Sequence, residues 1–206
     1  TFTLIPSTNP ENNDLFAAVH AIDWLYRDNV LYVYVATNTG LYRWIINDMD
    51  DESEWSNSAT PIKQGSIDQL LVIRNLNIAY FTIGNQLYRI SDLTVGGSQM
   101  NPVNISSTNP AFGGTNTSIK LAVSPTDNRY LYAMVIRDNG AMENVYMTTN
   151  GQTWNTLTTS SVTPFLFSTA HNEDGTIDTT SYTNGNENGT IVVDPTNPRR
   201  IILGGT

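Results

Sequence analysis

One pattern of short runs recurs three times along this chain and constrains its fold more than any other feature. Each copy has an apolar run, a turn rich in Asn and Asp, a second apolar run and a third run centred on tyrosine. The third runs lie at residues 40–44, 86–90 and 144–148. Their apolar residues alternate or are continuous and do not recur at helical spacing, which predicts strands rather than helices.

The turn residues between the runs predict where the strands of each copy begin and end. We expect paired strands at residues 21–26 and 30–36, 68–73 and 76–83, 119–124 and 130–136, and 190–193 and 199–203. Fourth strands are weaker in the sequence and are expected near residues 59–63, 102–105 and 155–159. The recurring order of strands and turns argues against a β-sandwich, which is the alternative fold.

The repeat predicts an all-β fold, a β-propeller of four-stranded antiparallel blades. The central tyrosines Tyr42, Tyr88 and Tyr146 are spaced by about 46 and about 58 residues, within or just above the usual range for propeller blades. A unit of three or four strands cannot bury both of its faces alone, whereas blades stacked around an axis bury one another.

The blades are expected to occupy most of the chain. We predict one partial propeller over residues 1–206, with blades at residues 17–63, 67–105, 119–160 and 190–206 and a long loop insertion at residues 160–189. The first three blades are near-complete and the last is partial. Because a partial blade leaves an open edge, we expect a portion of a larger propeller of about six to eight blades. A four-bladed ring closed by residues 1–6 is the alternative.

Composition and charge argue against two classes of partner. The 206 residues carry 10 Lys and Arg against 19 Asp and Glu, a net charge of −9, and no cysteine. This negative excess repels phosphate backbones, so no nucleic acid is expected as a partner. No apolar stretch approaches the ~18 residues that cross a bilayer, so no membrane span is expected. Few lysines and many Asn, Thr and Ser favour an extracellular or cell-surface protein of a bacterium.

Three segments carry a resemblance to a known family. Residues 194–198 read Asp-Pro-Thr-Asn-Pro and residues 124–128 read Ser-Pro-Thr-Asp-Asn, each before a strand. Residues 148–154 read Thr-Thr-Asn-Gly-Gln-Thr-Trp, which is similar to the motif Ser-x-Asp-x-Gly-x-Thr-Trp. The chain therefore resembles the Asp-box (BNR) repeat β-propellers, which include sialidases, xyloglucanases and sortilin-like receptors.

The boxes of this chain are degenerate. Asn150 replaces the Asp that names the motif, and the stretch is one residue shorter than the family pattern. Residues 51–55 keep acidic residues and a tryptophan without the glycine, and the segment after Arg89 is read as having neither the acid nor the tryptophan.

The resemblance implies that the box is a structural hairpin turn at the outer edge of a blade. In the family, the Asp or Asn side chain accepts backbone N–H groups and the tryptophan packs between sheets. Such a role suits the residue types, because Asn satisfies turn amides locally and Gly permits positive φ. We therefore predict a fold-making role for five residues, namely Thr148, Asn150, Gly151, Thr153 and Trp154.

No constellation of catalytic residues is visible. A glycosidase needs two carboxyl groups that flank a cleft. The acids at strand ends or turns lie at different offsets in the repeat, so spacing selects no pair among Asp23, Asp68, Asp127 and Asp194. We assign no catalytic residue, and the chain leans towards having no enzymatic activity.

Arginine and histidine give no further candidate for catalysis. The resemblance to sialidases would require an arginine cluster and a tyrosine nucleophile, but Arg43 and Arg89 belong to the repeated third strand. His20 and His171 are far apart in the sequence, and no cysteine completes a zinc site.

One segment of the long insertion resembles a calcium loop. Asn172, Asp174 and Asp178 provide side-chain oxygens at spacings like those of such a loop, and Gly175 allows the sharp bend. Ala170 occupies the first ligand position, so a solvated hairpin loop is the alternative. Calcium is the one cofactor that the sequence suggests. The acidic residues 48–52 leave the same two interpretations open.

Glycans are candidates both as attached groups and as ligands. Asn104, Asn116 and Asn188 each begin an N-glycosylation triplet. Trp44 and Trp55 flank the acidic loop and are candidates for stacking on sugars, with packing in the core as the alternative.

Three functions remain open. The first is a non-catalytic secreted or cell-surface propeller module for binding or scaffolding, with a protein or glycan and the remainder of its own propeller as partners. The second is a fragment of a carbohydrate-active enzyme that resembles the xyloglucanases. The third is a repeated structural unit of an extracellular fibre or shell.

Calcium binding by the insertion can be tested by thermal unfolding. A calcium loop predicts that Tm rises when calcium replaces a chelator, because an ion that binds only the folded chain stabilises it. The variant Asp174→Asn should remove most of that rise. An equal Tm in both buffers would identify the segment as a solvated hairpin loop.

Overall fold

The computed structural model describes residues 17–48, 55–57, 60–96, 99–106, 116–138, 140–159, 173–174 and 185–204. These residues form an all-β structure of antiparallel sheets, with one short helix, α1 (Gly185–Asn188), and one 3-10 turn at Arg74–Leu76. The all-β prediction is confirmed. The expected loop insertion, residues 160–189, lies mostly outside the described residues.

Four sheets follow one another along the chain. Sheet I contains β1 (Val19–Arg27), β2 (Val30–Thr37), β3 (Gly40–Ile46), β4 (Trp55–Asn57) and β5 (Lys63–Gln64). Sheet II contains β6 (Gln69–Ile73), β7 (Ile78–Ile83), β8 (Gln86–Ile90) and β9 (Val103–Asn104). Sheet III contains β10 (Asn116–Val123), β11 (Leu131–Arg137), β12 (Met142–Thr148) and β13 (Asn155–Thr159). Sheet IV contains β14 (Thr190–Val193) and β15 (Ile201–Gly204).

Sheets II and III are four-stranded meanders, in which each strand pairs with the next one in the chain. This is the strand arrangement of a propeller blade. The paired strands expected from the sequence are present in all four copies, with bounds that differ by a few residues.

The fourth strand of sheet I differs from the prediction. Instead of a strand near residues 59–63, two short strands pair with different parts of β3. Strand β4 pairs with residues 44–46, whereas β5 pairs with Gly40 and Leu41. At Gly40 a Cβ atom would lie 2.6 Å from the Cβ of Pro61 and 2.8 Å from the carbonyl oxygen of Lys63. A glycine is therefore required where the chain returns across β3.

Contacts between Cα atoms divide the chain into two compact units. Unit 1 comprises residues 1–83 and 88–103, and unit 2 comprises residues 84–87 and 104–206. Unit 1 contains sheet I and most of sheet II, and unit 2 contains sheets III and IV.

The core of unit 1 lies between sheets I and II. Sheet I contributes Leu25, Tyr34 and Ala36, and sheet II contributes Val72 and Phe81 among others. The other face of sheet I is also apolar and forms a separate buried cluster of Val35, Tyr42, Trp44 and Ile46. Alternate residues of β2 point to opposite sides of the sheet. Both faces of sheet I therefore carry apolar side chains that must be shielded from water.

The core of unit 2 lies between sheets III and IV. Ala122, Tyr132 and Met134 of sheet III pack with Ile191 and Val193 of sheet IV. The same kind of face-to-face packing thus occurs in both units.

A buried tyrosine fastens one sheet to the next in each unit. In unit 1 the Tyr34 hydroxyl donates to the Leu93 carbonyl at 2.7 Å. In unit 2 the Tyr132 hydroxyl donates to the Pro198 carbonyl at 2.7 Å. The two tyrosines are equivalent, because Tyr34 pairs with Arg43 and Tyr132 with Met147, each directly after the central tyrosine of the third strand.

Arg43 reinforces the contact in unit 1. Its guanidinium is buried and donates to the Leu93 carbonyl at 3.3 Å and to the Val95 carbonyl at 2.7 Å. Burial raises the pKa of Tyr34. The phenol therefore stays neutral and keeps its donor hydrogen.

We predict that Tyr34→Phe lowers the free energy of unfolding by about 1 kcal/mol, the usual net contribution of one buried hydrogen bond. The loss should be limited because Arg43 still donates to the Leu93 carbonyl. Urea denaturation measures it, with the exposed Tyr26→Phe as the matched control. An equal loss in both variants would show that the Tyr34 hydroxyl contributes nothing specific.

Candidate functional site

The five residues assigned to the box lie together in the turn between β12 and β13. The Thr148 hydroxyl accepts the Gly151 N–H at 3.0 Å, and the Asn150 Oδ1 atom accepts the N–H groups of Gln152 and Thr153 at 2.9 and 2.8 Å. Gly151 has a φ of 68°, which a side chain would strain. Trp154 is buried. These polar side chains are occupied by backbone groups, which is what a structural turn requires.

Asp92 in sheet II holds a turn that the sequence did not predict. Asp92 follows Tyr88 at the same distance as Asn150 follows Tyr146. Its Oδ1 atom accepts the Thr94 N–H at 2.8 Å and the Thr94 hydroxyl at 2.6 Å. The reading of this segment as having no acid was therefore wrong. Counting from the central tyrosine would have found Asp92.

Two other turns share one geometry, between β10 and β11 and between β14 and β15. In the first, the Ser124 N–H donates to the Tyr130 carbonyl at 3.0 Å. In the second, the Asp194 N–H donates to the Arg200 carbonyl at 2.8 Å. Asp194 Oδ1 accepts both the N–H and the hydroxyl of Thr196 at 2.7 Å. The turns that carried the family resemblance are thus held by their own polar side chains.

Three of the four acids at strand ends or turns accept hydrogen bonds or form ion pairs. Asp127 forms a two-point ion pair with Arg129, at 2.9 Å to Nε and 2.8 Å to Nη2. The hydrogen bonds from Arg129 lower the pKa of Asp127. The Thr196 hydroxyl, followed by its N–H, lowers the pKa of Asp194. Both carboxyl groups are therefore ionised at neutral pH.

Asp23, the third acid, connects the first strands of sheets I and II. Its Oδ2 atom accepts the Val72 N–H at 2.8 Å, and its Oδ1 atom forms an ion pair with Arg74. The Arg74 guanidinium also lies over the Trp24 ring, 4.3 Å from its centroid. For the fourth acid, Asp68, the backbone N–H donates to the Thr82 carbonyl at 3.0 Å.

The remaining candidates are placed as follows. His20 Nδ1 is 2.8 Å from the Ile67 carbonyl, and His171 lies outside the described residues. Trp44 is buried in the core of sheet I, so the alternative of core packing is correct for it. The side chain of Trp55 lies outside the described residues.

Of the proposed calcium ligands only Asp174 is described, in an exposed turn, whereas Asn172 and Asp178 lie outside the described residues. Within the described ranges, no group of three or more His, Asp or Glu residues could hold a metal ion. No helix in the same ranges is long and apolar enough to span a membrane.

The glycosylation candidates differ in their surroundings. Asn104 is half-buried and its Oδ1 atom accepts the Ser106 N–H at 3.0 Å and the Ser106 hydroxyl. Asn188 is exposed at the end of α1, and the side chain of Asn116 lies outside the described residues.

Two exposed apolar surfaces were not anticipated from the sequence. Ile22, Trp24 and Tyr26 lie on one face of β1, termed the β1 face, and all three are exposed. Val192 and Ile202 are directly paired across sheet IV and are also exposed; they form the sheet IV face. The apolar residues at every second position of 22–26 could have predicted that one face of β1 is apolar. They do not show that this face lacks a covering sheet.

A pocket of about 210 Å³ lies beside the Asp92 turn of sheet II, lined by Asp92, Met100 and Val103 among others. This volume is below the range of about 300–1,000 Å³ that is usual for ligand pockets.

Comparison with known proteins gives little more. No protein-family model matches the chain, and no curated protein matches it. Among solved structures, the chain is similar to the crystal structure of the GH74 xyloglucanase from Xanthomonas campestris, with a TM-score of 0.49 and 16% identity. The match covers 85% of this chain and 24% of that one, so the chain spans about a quarter of that structure. These values assign neither a family nor a function.

We predict that Asn150→Ala lowers the free energy of unfolding by about 1 kcal/mol, because two backbone N–H groups lose their acceptor. Asn150→Asp should retain stability, since a carboxylate oxygen accepts the same two bonds. Chemical denaturation of the three proteins measures both effects. Equal loss in the Ala and Asp variants would contradict the proposed role of the side-chain oxygen.

Proposed function

We propose that the chain is part of an Asp-box β-propeller and acts outside the cell or at the cell surface as a non-catalytic module for binding or scaffolding. The observation that carries this proposal is the engagement of the candidate acids. Asp23, Asp127 and Asp194 each accept hydrogen bonds that hold a turn or join two sheets.

The electrostatics of these acids favour structure over catalysis. A glycoside hydrolase needs one carboxyl group whose pKa is raised, so that it can donate a proton. The pKa values of Asp127 and Asp194 are shifted in the opposite direction by their hydrogen-bond donors. Asp23 accepts the Val72 N–H and forms an ion pair with Arg74, so its carboxyl group joins two sheets.

The propeller part of the proposal rests on the packing of the sheets. Sheets II and III have the strand order of a blade, and each unit stacks one sheet face on the next. The equivalent tyrosines Tyr34 and Tyr132 fasten these contacts. An extracellular setting is supported by composition, namely the absence of cysteine and the small number of basic residues.

The competing function, a fragment of a carbohydrate-active enzyme, makes a different prediction. The repeated strands and the turns at residues 124–128 and 194–198 resemble propellers that include the xyloglucanases and the sialidases. Xyloglucan is therefore the most informative substrate, with an unbranched β-glucan and a sialoside as further substrates.

We expect no release of reducing sugar or sialic acid when the chain is incubated with these substrates, with an active hydrolase as the positive control. Asp194→Asn should lower stability at neutral pH, because an amide cannot form the ion pair with Arg200. Cleavage that Asp23→Asn or Asp194→Asn abolishes without changing Tm would contradict the non-catalytic proposal. Calorimetric titration with xyloglucan oligosaccharides then tests glycan binding separately.

A further inference from the structure

We propose that the pocket beside the Asp92 turn binds one neutral sugar ring. The inference rests on the binding function proposed above and deepens it by giving it a site and a class of ligand. Its basis is a polar rim, an apolar floor and a set of contacts that hold the pocket in one shape.

The pocket is built from one stretch of the chain. All the residues that line it lie within residues 90–103, in sheet II and the connection from β8 to β9. This stretch belongs entirely to unit 1. The site is therefore complete within one compact unit.

The lining of the pocket changes from apolar at the floor to polar at the rim. Ile90 and Met100 are 1% and 5% exposed and form the floor. Ser91, Gln99 and Asn101 are exposed and form the rim. Among the residues that the structure describes, none accepts from or donates to the side chains of these three. Their hydrogen-bonding groups are therefore available to a ligand.

Asp92 adds a carboxylate to the rim. Its Oδ1 atom accepts the Thr94 hydroxyl and N–H, and these bonds lower the pKa of Asp92. The group is thus ionised at neutral pH and can only accept hydrogen bonds. Its Oδ2 atom remains as an acceptor for a hydroxyl group of a ligand.

Contacts behind the pocket hold it in shape. The Arg43 guanidinium donates to the Val95 carbonyl at 2.7 Å. The N–H groups of Gln99 and Met100 both donate to the Gly96 carbonyl, at 2.9 and 3.1 Å. A pocket that is already ordered loses little conformational entropy on binding, which favours a small ligand with few contacts.

These groups together suit a small, uncharged ligand with several hydroxyl groups. Each hydroxyl of a sugar donates and accepts, as amide side chains do, and can also donate to a carboxylate. The C–H groups of the ring suit the apolar floor. Arg43 and Asp92 both act electrostatically on Tyr34, so a positive and a negative charge lie close together here and offset each other.

The size of the pocket agrees with a single ring. Its volume of about 210 Å³ is below the range of about 300–1,000 Å³ for drug-sized ligands. A divalent cation held by Asp92 is the competing occupant.

NMR titration of the isotope-labelled full chain with the methyl glycosides of glucose, galactose and mannose tests the proposal. These probes are neutral closed rings. We expect the amide shifts of residues 90–103 to change, with a dissociation constant in the millimolar range because one ring makes few contacts. Calcium chloride is titrated separately.

Variants of the rim identify the site. Gln99→Ala and Asn101→Ala each remove one amide and should weaken binding about fivefold, the effect of one hydrogen bond. Asp92→Asn keeps an oxygen for the two Thr94 donors but replaces the Oδ2 acceptor by an N–H group, so it should weaken binding about tenfold. The exposed Gln152→Ala, in the turn between β12 and β13, is the matched control and should bind like the wild type. Thermal melts establish that all four variants are folded.

Three results would overturn the proposal. The first is no change in residues 90–103 at about 100 mM of each glycoside, far above a millimolar dissociation constant. The second is a response to calcium chloride alone, which would identify a cation site. The third is sugar binding that every rim variant retains, which would place the sugar elsewhere. None of these results alters the hydrolysis assay, so the non-catalytic proposal is tested independently.

Discussion

The structure depends on shielding from water the sheets that carry apolar side chains on both faces. In β2, Tyr34 and Ala36 pack towards sheet II, while Val35 between them belongs to a second buried cluster. A single sheet of this kind would expose one apolar face to water, with an unfavourable free energy proportional to the exposed area. Stacking of successive sheets removes this cost, which explains why the chain repeats one unit instead of building a single closed core.

Stacking apolar faces also buries polar groups, and the chain satisfies them with a small set of side chains. The Leu93 and Val95 carbonyls lie at the contact between sheets I and II, where they accept from Tyr34 and Arg43. The adjacent Asp92 and Thr94 form the turn that contains Leu93. The Asp92 turn therefore lies next to the tyrosine contact, and one short segment serves both the turn and the stacking of sheets I and II.

The sequence predicts the strands well because their period and turns are local properties. The turn at Asp28 and Asn29, both with positive φ, is readable from residue type alone. Features that depend on neighbouring sheets are predicted less well. Trp44 and Trp24 are both strand tryptophans, yet one is buried and the other exposed, and only the position of the covering sheet distinguishes them.

The displaced fourth strand of sheet I has a similar cause. Strand β3 is long enough to pair with two short segments, and the residues of β4 and β5 do not show which part of β3 each segment pairs with. Asp92 was missed for a different reason, since the glycine and the tryptophan of the expected motif are absent at their spacing after it. The hydrogen bonds to Thr94 need only the carboxylate and its position after the third strand.

The use of the acidic residues connects this architecture to the proposed function. Where a hydrolase would hold a carboxyl group in a protonated state within a cleft, this chain surrounds its strand-end acids with donors that favour the ionised state. These hydrogen bonds stabilise the turns, and they keep the two carboxyl groups in the ionised form, which cannot donate a proton. Among the described residues, the large apolar side chains of the β1 face and the sheet IV face are exposed to water, so their burial would be favourable.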